Sequence, residues 1–143
     1  MIDPEVWFSA LVSAVKSALT EARTAECAAL AISSQGESFV LLDSDGKVLR
    51  NAIVWMDSRS GEECKEIEAH FGREKLYHIT GDPAVDPVWL GTKLLHIRKH
   101  EPEIWEKTAK ILLAEDYLLI ALGHDVLGTH EQLLQRCRKT ALQ

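Results

Sequence analysis

The sequence predicts a single α/β domain, because short apolar runs typical of buried strands alternate with segments of helical periodicity. The chain has 143 residues, of which 46% are hydrophobic and 27% charged. A chain of this length buries about two thirds of its unfolded surface on folding, without needing disulfides or a metal. Residues 27–32 (CAALAI) and 110–114 (KILLA) are continuous apolar runs too short for helices, and they predict two strands covered on both faces.

The first predicted element is an amphipathic helix that runs to about residue 23. Asp3 can cap its N-terminus, and Pro4 suits the first helical position. Apolar residues then recur with a period of 3.6 residues, at Trp7, Leu11, Ala14, Val15, Ala18 and Leu19. The strand at residues 27–32 follows, and small and polar residues end it.

A β-hairpin is predicted next. Residues 39–42 and 48–55 are apolar extended segments, and the turn Asp43-Ser44-Asp45-Gly46 between them has the composition of a hairpin turn. The turn resembles a calcium loop only superficially, because an EF-hand places its glycine two positions later. No calcium site is therefore predicted.

The second half of the chain predicts short helices around one more strand. Ser60 and Glu63 have capping-box spacing, with Ile67 and Phe71 on the apolar side of the helix and Gly72 at its end. Helical turns are also expected around residues 76–77, at 91–100, after Pro102 and from Glu115 onward. The loop at residues 80–87 contains two prolines and a glycine, which exclude regular structure.

The charge and cysteine content limit the classes of partner. Lys and Arg total 16 against 22 Asp and Glu, a net charge of -6, so the surface repels a phosphate backbone and no nucleic-acid partner is expected. The three cysteines lack CxxC spacing, which favours reduced thiols. No signal peptide is expected, because a patterned helix with acidic residues follows the first residues, and no apolar run approaches the ~18 residues of a membrane span. We therefore expect a cytoplasmic protein without a membrane partner.

Several kinds of site are absent or weakly indicated. The sequence contains neither GxxxxGK[ST] nor GxGxxG, so no phosphate cradle is predicted. His96 and His100 could share a metal at i,i+4, but no third ligand has a defined spacing to them. We interpret them as a solvated or capping pair, and Glu62, Glu63 and Glu66 as a solvated acidic face. No metal site and no catalytic residues are predicted.

Two stretches are unusual for a scaffold. Gln35, Gly36 and Glu37 follow a predicted buried strand, where open α/β sheets place ligand groups, and their hydrogen-bonding ends suit sugar hydroxyls. A simple polar turn is the alternative. Residues 55–59 (WMDSR) offer an aromatic face, a carboxylate and a guanidinium. An internal ion pair with a core tryptophan is the alternative there.

At these stretches the sequence resembles the FGGY family of ATP-dependent carbohydrate kinases. Six segments match in order: 3–7, 29–43 with its SQGE turn, 45–59, Thr80-Gly81 with Trp89 and Lys93, 100–103, and 112–119. The resemblance implies part of a ribonuclease-H-like lobe of the actin and hexokinase type. Such a lobe has a mixed sheet, a hairpin insertion and several flanking helices.

The resemblance also implies a sugar or polyol as partner. By position, the residues bordering the sugar are Gln35, Gly36 and Glu37 near the hydroxyls, Trp55 as an apolar wall, and Asp57 and Arg59 as braces. Glycerol kinases have arginine where this chain has Gly36, and xylulokinases usually have a histidine nearby. The sugar therefore stays open among pentuloses, hexuloses, polyols and aldonates.

Other family features are missing from the sequence. The family's Asp-Gly-Gly-Thr phosphate loop, its general base and its adenosine-binding lobe have no counterpart here, so residues 1–143 are interpreted as one incomplete N-terminal lobe. ATP and Mg²⁺ serve the full-length family, but we expect neither to bind this chain tightly and expect no kinase activity from it alone. A non-catalytic interaction or regulatory module is the alternative.

The resemblance has one consequence for assembly. In the family fold the strand at residues 27–33 pairs with a strand that this sequence does not contain. An unpaired apolar edge is then expected to pair with a second copy, which predicts a homo-oligomer.

Overall fold

The computed structural model describes residues 1–27 and 29–123, which form a small antiparallel sheet between two layers of helices. The elements in chain order are α1 (Pro4–Glu21), β1 (Phe39–Leu42), α2 (Gly61–Phe71), α3 (Arg73–Thr80), α4 (Leu90–His100), α5 (Pro102–Lys107), β2 (Lys110–Leu113) and α6 (Ala114–Ala121). The predicted α/β class is confirmed. The sheet differs from the mixed sheet expected, since the two described strands run antiparallel.

Helix α1 begins where its local signals predict. The Asp3 carboxylate accepts a hydrogen bond from the Glu5 N–H at 3.0 Å, and Pro4 opens the helix. At the other end of the chain, the Tyr117 hydroxyl of α6 donates to Glu5 Oε1 at 3.2 Å. Burial, together with the charge of Glu5, raises the pKa of Tyr117 to about 12. This contact helps hold α1 and α6 on the same face of the sheet.

Strand β1 lies at the centre of the core, with all four residues buried. Its side chains alternate between two apolar clusters, as a pleated strand requires. Phe39 and Leu41 pack toward α4 and α5, whereas Val40 and Leu42 pack toward α1 and α6. Strand β2 pairs with β1 in a register that places Phe39 opposite Leu113. The strand predicted at residues 110–114 is therefore confirmed.

The predicted hairpin turn is present, but its second arm is irregular. Asp43 Oδ1 accepts hydrogen bonds from the N–H groups of Asp45 and Lys47, at 3.0 and 2.8 Å, and Gly46 has a φ of +81°. The return segment meets β1 only at the isolated bridges Leu42–Val48 and Phe39–Ile53. Between these bridges the return segment runs from residue 48 to 53, whereas β1 runs only from 39 to 42. The extra residues make the return segment bulge away from β1.

The strand predicted at residues 27–32 is wrong. Residues 27 and 29–31 are exposed and have no regular structure, and Ile32 is only half-buried. None of the backbone hydrogen bonds between described segments reaches this stretch. A strand exists only when a neighbour pairs with it, and both sides of β1 are already occupied by β2 and the return segment. The structure therefore shows no strand edge here for the homo-oligomer predicted from it.

The helices of the second half agree with prediction, but the capping box does not. Helix α2 ends at Gly72, whose φ is +81°, and α4 and α5 occupy the expected ranges. Ser60 makes no capping bond, because its buried hydroxyl contacts Thr92 Oγ1 of α4 at 3.0 Å. Phe71 is 44% exposed, so it contributes little to an apolar side of α2. Ser60 and Glu63 thus contact α4 instead of capping α2.

The structure also bears on the expected absence of a membrane span and on the cysteines. Among the residues that the structure describes, none of the helices combines the length and apolar character needed to cross a bilayer. Cys27 is an exposed free thiol and Cys64 a buried one. Cys137 lies outside the described residues.

Candidate functional site

Lys93 brings the two predicted sugar-binding stretches together. This lysine of α4 is completely buried, and its ammonium donates to three backbone carbonyls. The acceptors are Val88 O at 2.8 Å, Trp55 O at 3.1 Å and Glu37 O at 3.2 Å. Residues far apart in sequence are therefore fixed around one cation.

Burial lowers the pKa of Lys93, and the negative charges of Glu37, Asp57 and Asp86 oppose that shift. Three carboxylates thus lie close enough to influence a single ammonium. Asp57 is also paired with Arg59, so Lys93 and Arg59 together face three carboxylates at this edge of the molecule. Sequence reasoning included Lys93 in the family pattern but not among the site residues. Lysines are mostly exposed in proteins, so nothing in the sequence indicated that this one is buried.

Glu37 is held in place by the N-terminus of α4. Its carboxylate Oε2 accepts a hydrogen bond from the N–H of Leu90, the first residue of that helix. The Trp89 side chain at the N-cap position makes no capping bond, so Glu37 takes over that role. The backbone φ of Glu37 is +60°, a left-handed conformation that is uncommon for a residue with a side chain. Gln35 and Gly36, which precede it, are exposed.

Trp55 is not the core tryptophan of the alternative interpretation. Its side chain is 42% exposed, while its backbone N–H donates to the buried Ser38 hydroxyl at 2.9 Å. Met56 beside it is even more exposed. The backbone is therefore anchored from both sides, by Ser38 and by Lys93, and the indole remains available for contact.

Asp57 and Arg59 form the internal ion pair that was the other alternative. Two parallel hydrogen bonds join them, from Nε to Oδ1 at 2.8 Å and from Nη2 to Oδ2 at 2.7 Å. The Arg59 guanidinium lowers the pKa of Asp57 to about 2. Arg59 Nη1 also lies 3.9 Å from Glu101 Oε1. The pair can brace the site, whereas Gln35 and the Trp55 indole are the exposed groups.

Two histidines and a glutamate are placed differently from prediction. Glu63, expected on a solvated face, is buried, and His96 is mostly buried against it. Glu62 and Glu66 are exposed as predicted. The interpretation of a solvated or capping pair is therefore wrong for His96, whereas His100 is 57% exposed, and packing of α2 on α4 brings Glu63 against both rings.

Comparison with known sequences identifies relatives over most of the chain. A sequence profile of the FGGY family of carbohydrate kinases, N-terminal domain, matches residues 1–132. Xylulose kinase of Escherichia coli (strain K12) is 37% identical over 120 residues, which are 84% of this chain and 24% of that enzyme. Xylulose kinase of Bacillus subtilis (strain 168) is 34% identical over 81% of this chain and 23% of that enzyme. The chain thus spans about a quarter of the length of these curated relatives.

Solved structures agree with the sequence comparison. Ligand-bound xylulose kinase from Lactobacillus acidophilus matches with a TM-score of 0.72 and 27% identity, over 83% of this chain and 24% of that one. Gluconate kinase from the same organism matches with a TM-score of 0.69 and 26% identity, over 82% and 24% respectively. The described residues therefore have the backbone arrangement found in part of these larger proteins.

Proposed function

Because the chain belongs to the FGGY family of carbohydrate kinases, we propose that it supplies a sugar-contacting segment for phosphoryl transfer from ATP to a sugar or polyol hydroxyl. Family membership favours this role over a non-catalytic interaction or regulatory module. The chain covers only about a quarter of its relatives, so the activity proposed is that of an enzyme with further parts.

The observation that supports the proposal best is the attachment of both candidate stretches to Lys93. The attachment presents the exposed Gln35 side chain and the exposed Trp55 indole from two anchored segments. Small-molecule sites commonly combine an aromatic surface with a few fixed polar groups. In this proposal Trp55 contacts the apolar face of the sugar, and Gln35 and Glu37 bind its hydroxyls. Gly36 leaves room between them.

Asp57 and Arg59 brace the same surface in this proposal. Their mutual hydrogen bonds hold the segment after Trp55 in one conformation. Arg59 keeps some exposure, with a side chain 27% accessible, so it can also reach a hydroxyl on one side. D-Xylulose is the first substrate to test, because several relatives are xylulose kinases.

The residues that the structure describes do not fit ATP. The four glycines with positive φ among them, Gly46, Gly72, Gly81 and Gly123, lie in separate turns and helix ends, and the sequence contains no Asp-Gly-Gly-Thr loop. A phosphate cradle needs several backbone N–H groups converging in one loop. We therefore expect the chain alone to show no sugar-dependent ATP hydrolysis or phosphoryl transfer in a coupled assay.

Calorimetric titration of the chain with D-xylulose, gluconate and glycerol tests the proposed sugar contact. Trp55→Ala should weaken binding by about fivefold, as expected when an aromatic contact of about 1 kcal/mol is lost. The matched control is Tyr77→Ala, which removes an aromatic side chain that is 52% exposed on α3 and should leave binding unchanged. A panel without binding heat, or equal affinities for Trp55→Ala and the parent, would contradict the sugar site while leaving the fold intact.

A further inference from the structure

A cluster of metal-ligating side chains lies between α2 and α4, on residues that the proposed sugar site does not use. Glu63 comes from the first turn of α2, and its side chain is 2% exposed. His96 and His100 lie one turn apart on α4, with ring centroids 4.3 Å apart. One ligand atom from each residue can be chosen so that all three lie within 4.8 Å of one another.

The distances in this cluster approach those around a small metal ion. His96 Nδ1 lies 3.2 Å from Glu63 Oε2, and His100 Nε2 lies 3.4 Å from Glu63 Oε1. Zinc takes histidine nitrogen and carboxylate oxygen at about 2.0–2.2 Å, so the corners of its tetrahedron are roughly 3.3–3.5 Å apart. The two distances end on different oxygens of one carboxylate, and one ligand atom from each residue lies within 4.8 Å of the others. Small side-chain rotations that bring these atoms closer would therefore let one ion reach all three residues.

The charge of the cluster also suits a cation. Glu63 is a buried acidic side chain, and a buried carboxylate requires a compensating partner. In the structure that compensation comes from the two imidazoles and from Lys99, whose Nζ is 3.9 Å from Glu63 Oε1.

Among the described residues, the Lys99 ammonium lies close enough to Glu63 to oppose a bound cation. This ammonium is also paired with Glu66, an exposed carboxylate on the next turn of α2. Since the Lys99 side chain is 39% exposed and already paired with Glu66, it can move toward Glu66 and give up only its longer 3.9 Å contact with Glu63. A metal at the cluster therefore displaces a weak interaction.

From this geometry we propose that Glu63, His96 and His100 form a binding site for Zn²⁺ or a similar transition-metal dication. Two imidazoles and one carboxylate favour such metals over Mg²⁺ or Ca²⁺, which prefer oxygen ligands. Three protein ligands leave the fourth position for water. The bound metal joins α2 to α4, so it stabilises the packing of these helices on each other.

Zinc titration of the full chain in a non-thiol reductant, in competition with a chromophoric chelator, tests the site. The parent should bind one Zn²⁺. His100→Gln should bind Zn²⁺ at least about tenfold more weakly. Loss of a residue that only supports a metal ligand already costs about tenfold or more, and loss of a ligand should cost no less. His100 is 57% exposed, so this variant should fold normally. The control is His78→Gln, since His78 faces Glu74 at i,i+4 on α3 and belongs to no such cluster among the described residues.

Lys99→Gln gives a second, opposite readout. Removing this ammonium should tighten zinc binding by at least about twofold, because a cation so close to a ligand opposes another cation. Unchanged or weaker binding in Lys99→Gln would contradict the site. Equal zinc affinities of His100→Gln and the parent would overturn it as well.

Cobalt substitution identifies the ligand type. Co²⁺ at Glu63, His96 and His100 should give visible d–d bands without the near-ultraviolet charge-transfer band of a thiolate. Appearance of the thiolate band would assign the metal to a cysteine instead and would overturn the proposal.

Discussion

The most consequential single side chain is Lys93, because three carbonyls from three segments depend on its ammonium. Burying a charge is costly unless hydrogen bonds compensate it, and each carbonyl would itself be costly to leave unpaired. The lysine and its acceptors are thus mutually dependent. Its effect on stability should accordingly be far larger than that of a surface lysine.

Lys93→Met should lower the free energy of unfolding by about 2–4 kcal/mol, since it leaves buried carbonyls without a donor while keeping the volume similar. Urea denaturation followed by circular dichroism measures this loss. Lys65→Met is the control, because the ion pair that Lys65 makes with Glu62 is exposed, 74% and 82% accessible, and its loss should cost far less than the loss of the Lys93 contacts. Equal losses in both variants would show that the Lys93 contacts carry no special stability.

Asp57 should make the fold sensitive to acid. Arg59 lowers its pKa from 3.8 to about 2 in the folded chain. The ionised carboxylate therefore stabilises the fold above about pH 4, and this contribution is lost as the pH falls toward 2. Between pH 5.5 and 2.5 the parent should lose about 1 kcal/mol more unfolding free energy than Asp57→Asn.

Urea midpoints at the two pH values measure the difference. Asp82→Asn, at an exposed loop position without an ion pair among the described contacts, serves as control and should follow the parent. If the difference in unfolding free energy between the parent and Asp57→Asn is the same at both pH values, ionisation of Asp57 does not contribute to stability.

At the scale of elements, helix α4 is the part on which both candidate sites depend. Its N-terminus is fixed by Glu37, its buried face carries Lys93, and its opposite end carries His96 and His100. The hydroxyls of Thr92 and Ser60 add a buried contact to α2. Displacement of α4 would therefore disturb both the sugar-contacting stretches and the metal-ligating cluster.

Glu37→Ala removes the carboxylate that caps α4 and should destabilise the fold by about 1 kcal/mol. Glu37→Gln keeps an acceptor oxygen for the Leu90 N–H, so it should lose clearly less. Thermal unfolding of the three proteins, with amide hydrogen exchange at residues 90–93, measures the effect. If Glu37→Ala and Glu37→Gln are equally stable, the capping role is wrong.

The success of sequence-based prediction depended on how far apart the interacting residues are. The Asp3 cap was predicted correctly because its partner, Glu5, is two residues away. The Glu37 cap joins residues 53 positions apart, and the Lys93–Glu37 contact spans 56. Spacing rules cannot detect such pairs. Ser60 and Glu63 followed a local capping rule, but tertiary packing gave both residues other partners.

At the candidate site, too, local features were predicted and contacts between distant residues were not. Composition and order were enough to select the two stretches that Lys93 joins. They could not decide whether Trp55 is buried, or whether Asp57 and Arg59 pair with each other. The apolar run at residues 27–32 indicated that burial was possible but not which segment would provide it. Whether an apolar segment forms a strand depends on the segments that pack and pair with it, and its own sequence does not identify them.

For the whole molecule, the apolar run at residues 27–32, of which residues 27 and 29–31 are exposed, is the feature that should govern association. Leu30 is 48% exposed in a stretch of small apolar residues, and charged side chains begin only outside it. Such a segment can gain backbone pairing and lose apolar exposure together if a second copy adds beside it. We therefore expect the chain to form a homo-oligomer through this segment, which becomes a strand on pairing.

Light scattering after size exclusion, at tens of micromolar, should then give a mass above that of the monomer for the parent and a smaller mass for Leu30→Lys. The added charge should repel its counterpart and block pairing of the segment. Val6→Lys is the matched control, since Val6 is 57% exposed on α1 and its replacement should leave the mass unchanged. A monomeric parent would refute association altogether, and an equal effect of both substitutions would place the contact elsewhere.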